Sequence, residues 1–97
     1  MAAATPTILV VEDESSIASF VSLYLKNAGY VVRTAPSGME ALTLAASEKP
    51  ALIVLDLMLP DIDGIEVCKR IRQDSDVPIL MLTARDEDVD PDRKSVV

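Results

Sequence analysis

The chain has 97 residues, the size of one domain, and its 49% apolar and 26% charged residues exclude a disordered protein. Nine lysine and arginine residues against sixteen aspartate and glutamate residues give a net charge of −7, which argues against a nucleic-acid-binding surface. The absence of histidine excludes histidine-based catalysis and most zinc sites, and the single cysteine excludes an internal disulfide and favours a reducing cytoplasm.

Short apolar runs recur at regular intervals along the chain. Because the longest have four or five consecutive apolar residues, far fewer than the ~20 that span a bilayer, we expect no contact with a membrane. Each run is rich in Val, Ile and Leu, as in strands of a parallel sheet. Arg33 in the second run indicates an edge strand. The four predicted strands are Thr7–Val11, Tyr30–Thr34, Ala51–Asp56 and Pro78–Thr83.

Segments with helical periodicity separate these strands. In the first, apolar residues at helical spacing predict a core face made of Ile17, Phe20, Val21, Tyr24, Leu25 and Ala28. A capping box starts the second, and either Asp63 or Gly64 can start the third, whose core face would be Ile65, Cys68 and Ile71. The predicted helices are Ser15–Ala28, Ser37–Lys49 and Ile65–Gln73.

The alternation of strands and helices predicts a parallel sheet with helices on both faces. The fourth strand should be followed by a helix and a fifth strand, but only residues 84–97 remain. Pro91 would interrupt the first turns of that helix unless it is the first helical residue after an Asp90 cap. We therefore expect the sheet to stop at the fourth strand, with Ile79–Leu82 as an open edge. Such an edge predicts a homo-oligomer, formed through the edge or by exchange of segments between copies.

Carboxylates follow the first and third predicted strands. Glu12 and Asp13 end the first strand, and Asp56 ends the third. If these strands are neighbours, the three side chains converge at one sheet edge, where they repel unless a cation is near. Oxygen ligands with room for water suit Mg²⁺. Capping of the next helix is the alternative for Glu12 or Asp13, whereas Asp56 ends a wholly apolar strand and is costly there without a function or a partner.

Three motifs at predicted strand ends resemble the receiver domain of bacterial two-component response regulators. They are VVED at Val10–Asp13, LDLMLPDIDG at Leu55–Gly64 and LTARD at Leu82–Asp86. The resemblance covers about residues 7 to 90 and points to the transcription-factor branch that carries a winged-helix DNA-binding domain. It implies a flavodoxin-like, doubly wound sheet of order 2-1-3-4-(5). Residues 1–97 would be a single receiver domain without its fifth strand and last helix, with an atypical tail at 84–97.

The resemblance also implies a role for each candidate site residue. Asp56 would accept a phosphoryl group from a sensor histidine kinase, and Thr83 would donate its hydroxyl to that group. Asp13 would bind Mg²⁺, with Glu12 reaching the ion directly or through water, and Asp56 and the backbone carbonyl of Met58 would be further ligands. The chain would then be a cytoplasmic signalling switch, not an enzyme, that regulates an output such as transcription in the full-length protein.

The C-terminal segment departs from the family pattern. The family's phosphate-binding lysine at the end of the fifth strand is missing, and Lys94, eleven residues after Thr83, lies in a tail that does not resemble the family. The alternative function is therefore that of a phosphorylation-impaired interaction or dimerisation fragment of a receiver domain. A phosphohydrolase of the haloacid-dehalogenase type is disfavoured, because that class needs an acid two residues after the nucleophile, where this chain has Met58.

Overall fold

The computed structural model describes residues 5–84 and 94–96, with side chains described for residues 5–82. The observed bounds of the first seven elements differ from the predicted ones by at most one residue at either end. Within the described ranges, none of the helices combines the length and the hydrophobicity that crossing a bilayer requires. The strands are β1 (Thr7–Val11), β2 (Val31–Ala35), β3 (Leu52–Asp56), β4 (Ile79–Ala84) and β5 (Lys94–Val96), and the helices are α1 (Ser15–Asn27), α2 (Gly38–Glu48) and α3 (Gly64–Arg72).

The strands form one sheet in the order β2-β1-β3-β4-β5. β1 lies between β2 and β3 and is parallel to both, and β4 is parallel to β3. This topology confirms the predicted doubly wound order and the edge position of the second strand. Val11 pairs with Ala35 on one side and with Leu55 on the other, so β1 and β3 end almost in step.

The fifth strand corrects the prediction that β4 ends the sheet. β5 pairs with Leu82–Ala84 of β4, and it runs antiparallel to β4. The direction follows from the length of the connection, because the nine residues from 85 to 93 are too few for the crossover that a parallel pair requires. The predicted open edge is thereby reduced to Ile79–Met81, which no other described strand pairs on that side.

Apolar residues on alternate positions of the strands form a core on each face of the sheet. Leu9 and Val11 of β1 lie in the core that α2 and α3 cover. Ile8 and Val10 lie in the core that α1 covers. Each buried large apolar side chain stabilises the fold by ~1.5–3 kcal/mol, so both faces of the sheet are needed for its stability.

α1 packs on the sheet through Val21 and Leu25 and through two smaller buried residues. Ala18 and Ser22 are buried, whereas Phe20 and Tyr24 are 73% and 70% exposed. The prediction that these two aromatic residues belong to the core is therefore wrong. Because Val21 and Leu25 of the predicted face do pack against the core, the inward face is the predicted one rotated towards Ala18 and Ser22.

The orientation of α3 is set at its first residue. Gly64, Val67 and Ile71 are the buried residues of the helix and follow one another at the spacing of one helical face. A Cβ on Gly64 would lie 2.6 Å from the Cα of Leu57, so the helix and the preceding chain are in direct backbone contact. Ile65 consequently faces outward and is 49% exposed, which corrects its predicted place in the core.

This orientation predicts unequal effects of truncating two neighbouring apolar residues of α3. Val67→Ala should lower the free energy of unfolding by about 2 kcal/mol, because it removes two methyl groups from a fully buried site and leaves a cavity. Ile65→Ala, the control, should change it by less than about 0.5 kcal/mol, since surface substitutions are usually this mild. Urea denaturation measures both values, and equal losses would contradict the observed helix orientation.

Candidate functional site

Three carboxylates converge where β1 and β3 end. Since Val11 pairs with Leu55, the chain beyond them brings Glu12, Asp13 and Asp56 to the same edge of the sheet. Oxygens of these three side chains lie within 4.8 Å of one another. We call these residues the carboxylate cluster. Their convergence is the one expected if the first and third strands are neighbours.

Two members of the carboxylate cluster are buried and the third is exposed. Glu12 and Asp56 are 5% and 3% exposed, while Asp13 lies at the surface. The backbone N–H of Glu14 donates to Oε2 of Glu12 at 3.2 Å, and the N–H of Met58 donates to Oδ1 of Asp56 at 3.1 Å. Such bonds offset part of the cost of burying a carboxylate. Asp13 therefore marks the side from which solvent reaches the cluster.

Backbone hydrogen bonds continue one residue beyond β1 and β3 and hold the cluster in place. The N–H of Glu12 donates to the carbonyl of Ala35 at 3.0 Å. The N–H of Leu57, directly after Asp56, donates to the carbonyl of Leu82 at 3.1 Å. The main chain on both sides of the site is thus anchored to a neighbouring strand.

The loop of residues 57–63, which we call the site loop, folds back against the chain that carries Asp56. The N–H of Gly64 donates to the carbonyl of Leu57 at 3.1 Å. Leu59 and Ile62 pack against the core between the sheet and α2 and α3. Asp63 caps α3 by accepting from the N–H of Ile65 at 2.9 Å. These contacts anchor both ends of the site loop and two of its apolar side chains.

Asp61, in the site loop, is a residue that the sequence analysis missed. Its Oδ1 accepts a hydrogen bond from the N–H of Gly38 at 2.7 Å, and its Oδ2 accepts one from the N–H of Met39 at 2.9 Å. These two donors, Met39 first, hold the pKa of the Asp61 carboxyl group below its ordinary value. Because the partners are 22 and 23 residues away in sequence, no local pattern could have revealed the contact.

The family follows from comparison with known proteins. Residues 8–95 match the family model of the response regulator receiver domain. The chain belongs to this family. The sequence-based identification of a receiver domain is therefore confirmed.

Curated relatives of this receiver domain are transcriptional regulators. The alkaline phosphatase synthesis transcriptional regulatory protein PhoP of Bacillus subtilis is 58% identical over 84 residues, which cover 86% of this chain and 35% of the relative. The transcriptional regulatory protein AfsQ1 of Streptomyces coelicolor is 48% identical over 85 residues, which cover 88% of this chain and 38% of the relative. This receiver domain thus spans a little over a third of the length of either relative.

Solved receiver domains have the same fold. A putative response regulator from Chloroflexus aurantiacus superposes with a TM-score of 0.81 at 42% identity, over 88% of this chain and 72% of that one. The BeF3-activated N-terminal receiver domain of Klebsiella pneumoniae RstA gives a TM-score of 0.79 at 36% identity, over 84% of this chain and 70% of that one. Both comparisons support the flavodoxin-like architecture.

The carboxylate cluster of this receiver domain fits a magnesium ion. Its donors are carboxylate oxygens, the hard ligands that Mg²⁺ prefers, and the exposure of Asp13 leaves room for the waters that Mg²⁺ retains. Glu12, Asp13 and Asp56 would hold the ion. The two remaining predicted site residues are placed only in part. Met58 follows Asp56 in the site loop, and Thr83 lies in β4, but the side chain of Thr83 is outside the described residues.

Removing the exposed carboxylate of the cluster should stabilise the protein when Mg²⁺ is absent. Asp13→Asn takes away one of three negative charges held close together, and we expect the free energy of unfolding to rise by roughly 1 kcal/mol at pH 7. Adding Mg²⁺ should then raise the Tm of this variant less than that of the unchanged protein.

Asp74→Asn is the matched control, because it removes one exposed carboxylate outside the cluster. It should leave the magnesium-dependent shift in Tm unchanged. Thermal denaturation with and without Mg²⁺ measures both effects, and a full magnesium shift in Asp13→Asn would remove Asp13 from the ligand set.

Proposed function

We propose that this receiver domain is a phosphoacceptor switch, in which Asp56 takes a phosphoryl group from the phosphohistidine of a sensor histidine kinase. The observation that carries the proposal is the carboxylate cluster, whose oxygens lie within 4.8 Å of one another at the carboxyl edge of the sheet. Ligands of open parallel α/β sheets bind at this edge. The names of the regulators PhoP and AfsQ1 support transcription as the output of the full-length protein.

In the proposed transfer, a carboxylate oxygen of Asp56 attacks the phosphorus in line with the bond that breaks. The P–N bond of phosphohistidine is cleaved as the new P–O bond forms, and the imidazole keeps the electron pair and takes up a proton from solvent. Mg²⁺, when bound, neutralises charge on the phosphoryl oxygens and so reduces their repulsion from the carboxylates. Later attack of water on the phosphorus breaks the new P–O bond, releases inorganic phosphate and restores the Asp56 carboxylate, which ends the signal.

Three further residues have a role in this proposal, namely Met58, Thr83 and Lys94. The Met58 carbonyl is the candidate fourth protein ligand, and the Thr83 hydroxyl would donate to the phosphoryl group. Lys94, the one lysine after Thr83 in the sequence, is the candidate substitute for the family's lysine, and its backbone pairs with that of Ala84. The alternative is a phosphorylation-impaired interaction or dimerisation fragment, and the departure of residues 84–97 from the family pattern is what favours it.

We further propose that residues 1–97 form a single receiver unit that functions in the cytoplasm. The support for one unit is the continuous sheet that joins all of the described strands. The support for a reducing compartment is the single cysteine, Cys68, which is half-buried on α3.

The proposed function predicts stoichiometric phosphorylation at one residue. Incubation of the 97-residue chain with Mg²⁺ and acetyl phosphate should add one phosphoryl group, seen by intact mass spectrometry. Asp56→Asn should abolish this gain because the attacking oxygen is lost, whereas Asp74→Asn should retain it. Chelation of Mg²⁺ should prevent it in all variants. No gain and no consumption of acetyl phosphate would instead favour the interaction fragment, whereas rapid turnover of many donor molecules would favour a hydrolase.

We also propose self-association through the part of the β4 edge that β5 leaves unpaired. The backbone groups of Ile79–Met81 that face away from β3 are not paired by the described strands, and Leu80 is exposed beside them. Exposed strand edges of this kind pair with other chains. Sedimentation at increasing protein concentration should therefore show a dimer or larger species, and Leu80→Lys should weaken its formation. A monomer at high concentration would contradict this prediction.

A further inference from the structure

We propose that Asp61 is a positioning residue that holds the site loop at a set place relative to the carboxylate cluster. Its carboxylate joins the loop to the start of α2, and we call these two hydrogen bonds the Asp61 clasp. The inference rests on the proposed function, because it concerns the magnesium and phosphoryl site formed around Asp56.

The clasp uses both oxygens of one carboxylate. They accept from the first two backbone N–H groups of α2, those of Gly38 and Met39, at 2.7 and 2.9 Å. Hydrogen bonds to an ionised acceptor are stronger than neutral ones, and the start of a helix favours negative charge. α2 has its own cap in addition, since the hydroxyl of Ser37 accepts from the N–H of Glu40 at 3.3 Å. Asp61 therefore adds a long-range tie to a helix that already has a local cap.

The clasp closes a ring of main chain and hydrogen bonds that passes through Glu12 and Asp56 of the carboxylate cluster. One side of the ring is the site loop, which runs from Asp56 to Asp61. The other side runs from the start of α2 back to Ala35, whose carbonyl accepts from the N–H of Glu12 at 3.0 Å. The pairing of β1 with β3 completes the circuit. Through the clasp, the chain that carries Met58 is connected to the chain that carries Glu12 by a second route besides the sheet.

The start of α2 has no space for a side chain where the clasp forms. A Cβ on Gly38 would lie 2.9 Å from Cγ2 of Val67, 3.1 Å from Cβ of Ile62 and 3.3 Å from Oδ1 of Asp61. α2, α3 and the site loop thus meet at this one residue. The close packing of all three elements indicates that the clasp is a fixed contact and not a chance approach of a surface carboxylate.

Loss of the clasp should loosen the site loop without releasing it from the sheet. The bond from Leu57 to Leu82 would remain, as would the packing of Leu59 and Ile62 against the core. The segment between these anchors contains Met58, whose N–H contacts Asp56 and whose carbonyl is the candidate ligand. Residues that orient ligands raise metal affinity by reducing the disorder that binding must remove.

The test compares magnesium affinity with stability in the full 97-residue chain. Asp61→Ala should raise the Kd for Mg²⁺, measured by isothermal titration calorimetry, by roughly 10-fold. Asp61→Asn keeps one acceptor oxygen and should give an intermediate Kd. Amide hydrogen exchange at Met58 should be faster in both variants, which is a readout that does not depend on the ion.

Ser37→Ala is the matched control, because it removes the local cap of α2 and leaves the clasp intact. It should lower the Tm, as loss of an N-cap does, and leave the Kd for Mg²⁺ unchanged. The inference is overturned if folded Asp61→Ala binds Mg²⁺ as the unchanged protein does, or if Ser37→Ala weakens binding equally. If Asp61→Ala does not fold, the same comparison is made with Asp61→Asn. Failure of the proposed function is a different result, in which the unchanged protein neither binds Mg²⁺ nor accepts a phosphoryl group at Asp56.

Discussion

The convergence of carboxylates at one end of a parallel sheet is the constraint on which the rest of the structure depends. Glu12 and Asp56 are almost completely buried, yet they follow neighbouring strands and share one small space with Asp13. A buried carboxylate is unfavourable by several kcal/mol unless it is hydrogen-bonded or paired with a cation. The sheet tolerates this arrangement because its apolar strands hold the two main chains in register. The negative charge of the three carboxylates favours the binding of a divalent cation at this edge.

The elements around the cluster serve to keep this edge rigid. Backbone hydrogen bonds extend the sheet by one residue beyond β1 and β3, so the cluster begins on ordered chain at both positions. Gly64 then brings the start of α3 into contact with Leu57, and Asp61 ties the loop between them to α2. The two glycines at the starts of α2 and α3 act alike, because each lets a helix approach the site loop more closely than a side chain would allow. The close packing at these two glycines therefore determines both how the helices pack and where the site loop lies.

Strands, helix starts and the carboxylate cluster could be predicted from the sequence, whereas the orientations of α1 and α3 could be predicted only in part. Apolar runs identify strands directly, and Ser37 and Asp63 are the residues that cap α2 and α3 in the structure. Val21, Leu25 and Ile71 of the predicted faces do pack against the core, but a search for large apolar residues also selects Phe20, Tyr24 and Ile65, which are exposed. Ala18, Ser22 and Val67 are buried in their place. Which face of a helix turns inward depends on close contacts such as that between Gly64 and Leu57. These contacts join the helix to other parts of the chain, so the periodicity of the helix alone does not predict them.

The fifth strand could not be predicted from the sequence either, for a different physical reason. Lys94–Val96 has only three residues and no alternating pattern, so its own propensity does not distinguish it from a loop. It becomes a strand because β4 presents unpaired backbone groups at Leu82–Ala84. An antiparallel strand that follows β4 begins at the carboxyl edge of the sheet, whereas a parallel strand ends there. A residue at the start of this short strand therefore occupies the edge that a parallel fifth strand would reach with its last residue. For this reason the backbone of Lys94 lies in register with Ala84, the last residue of β4.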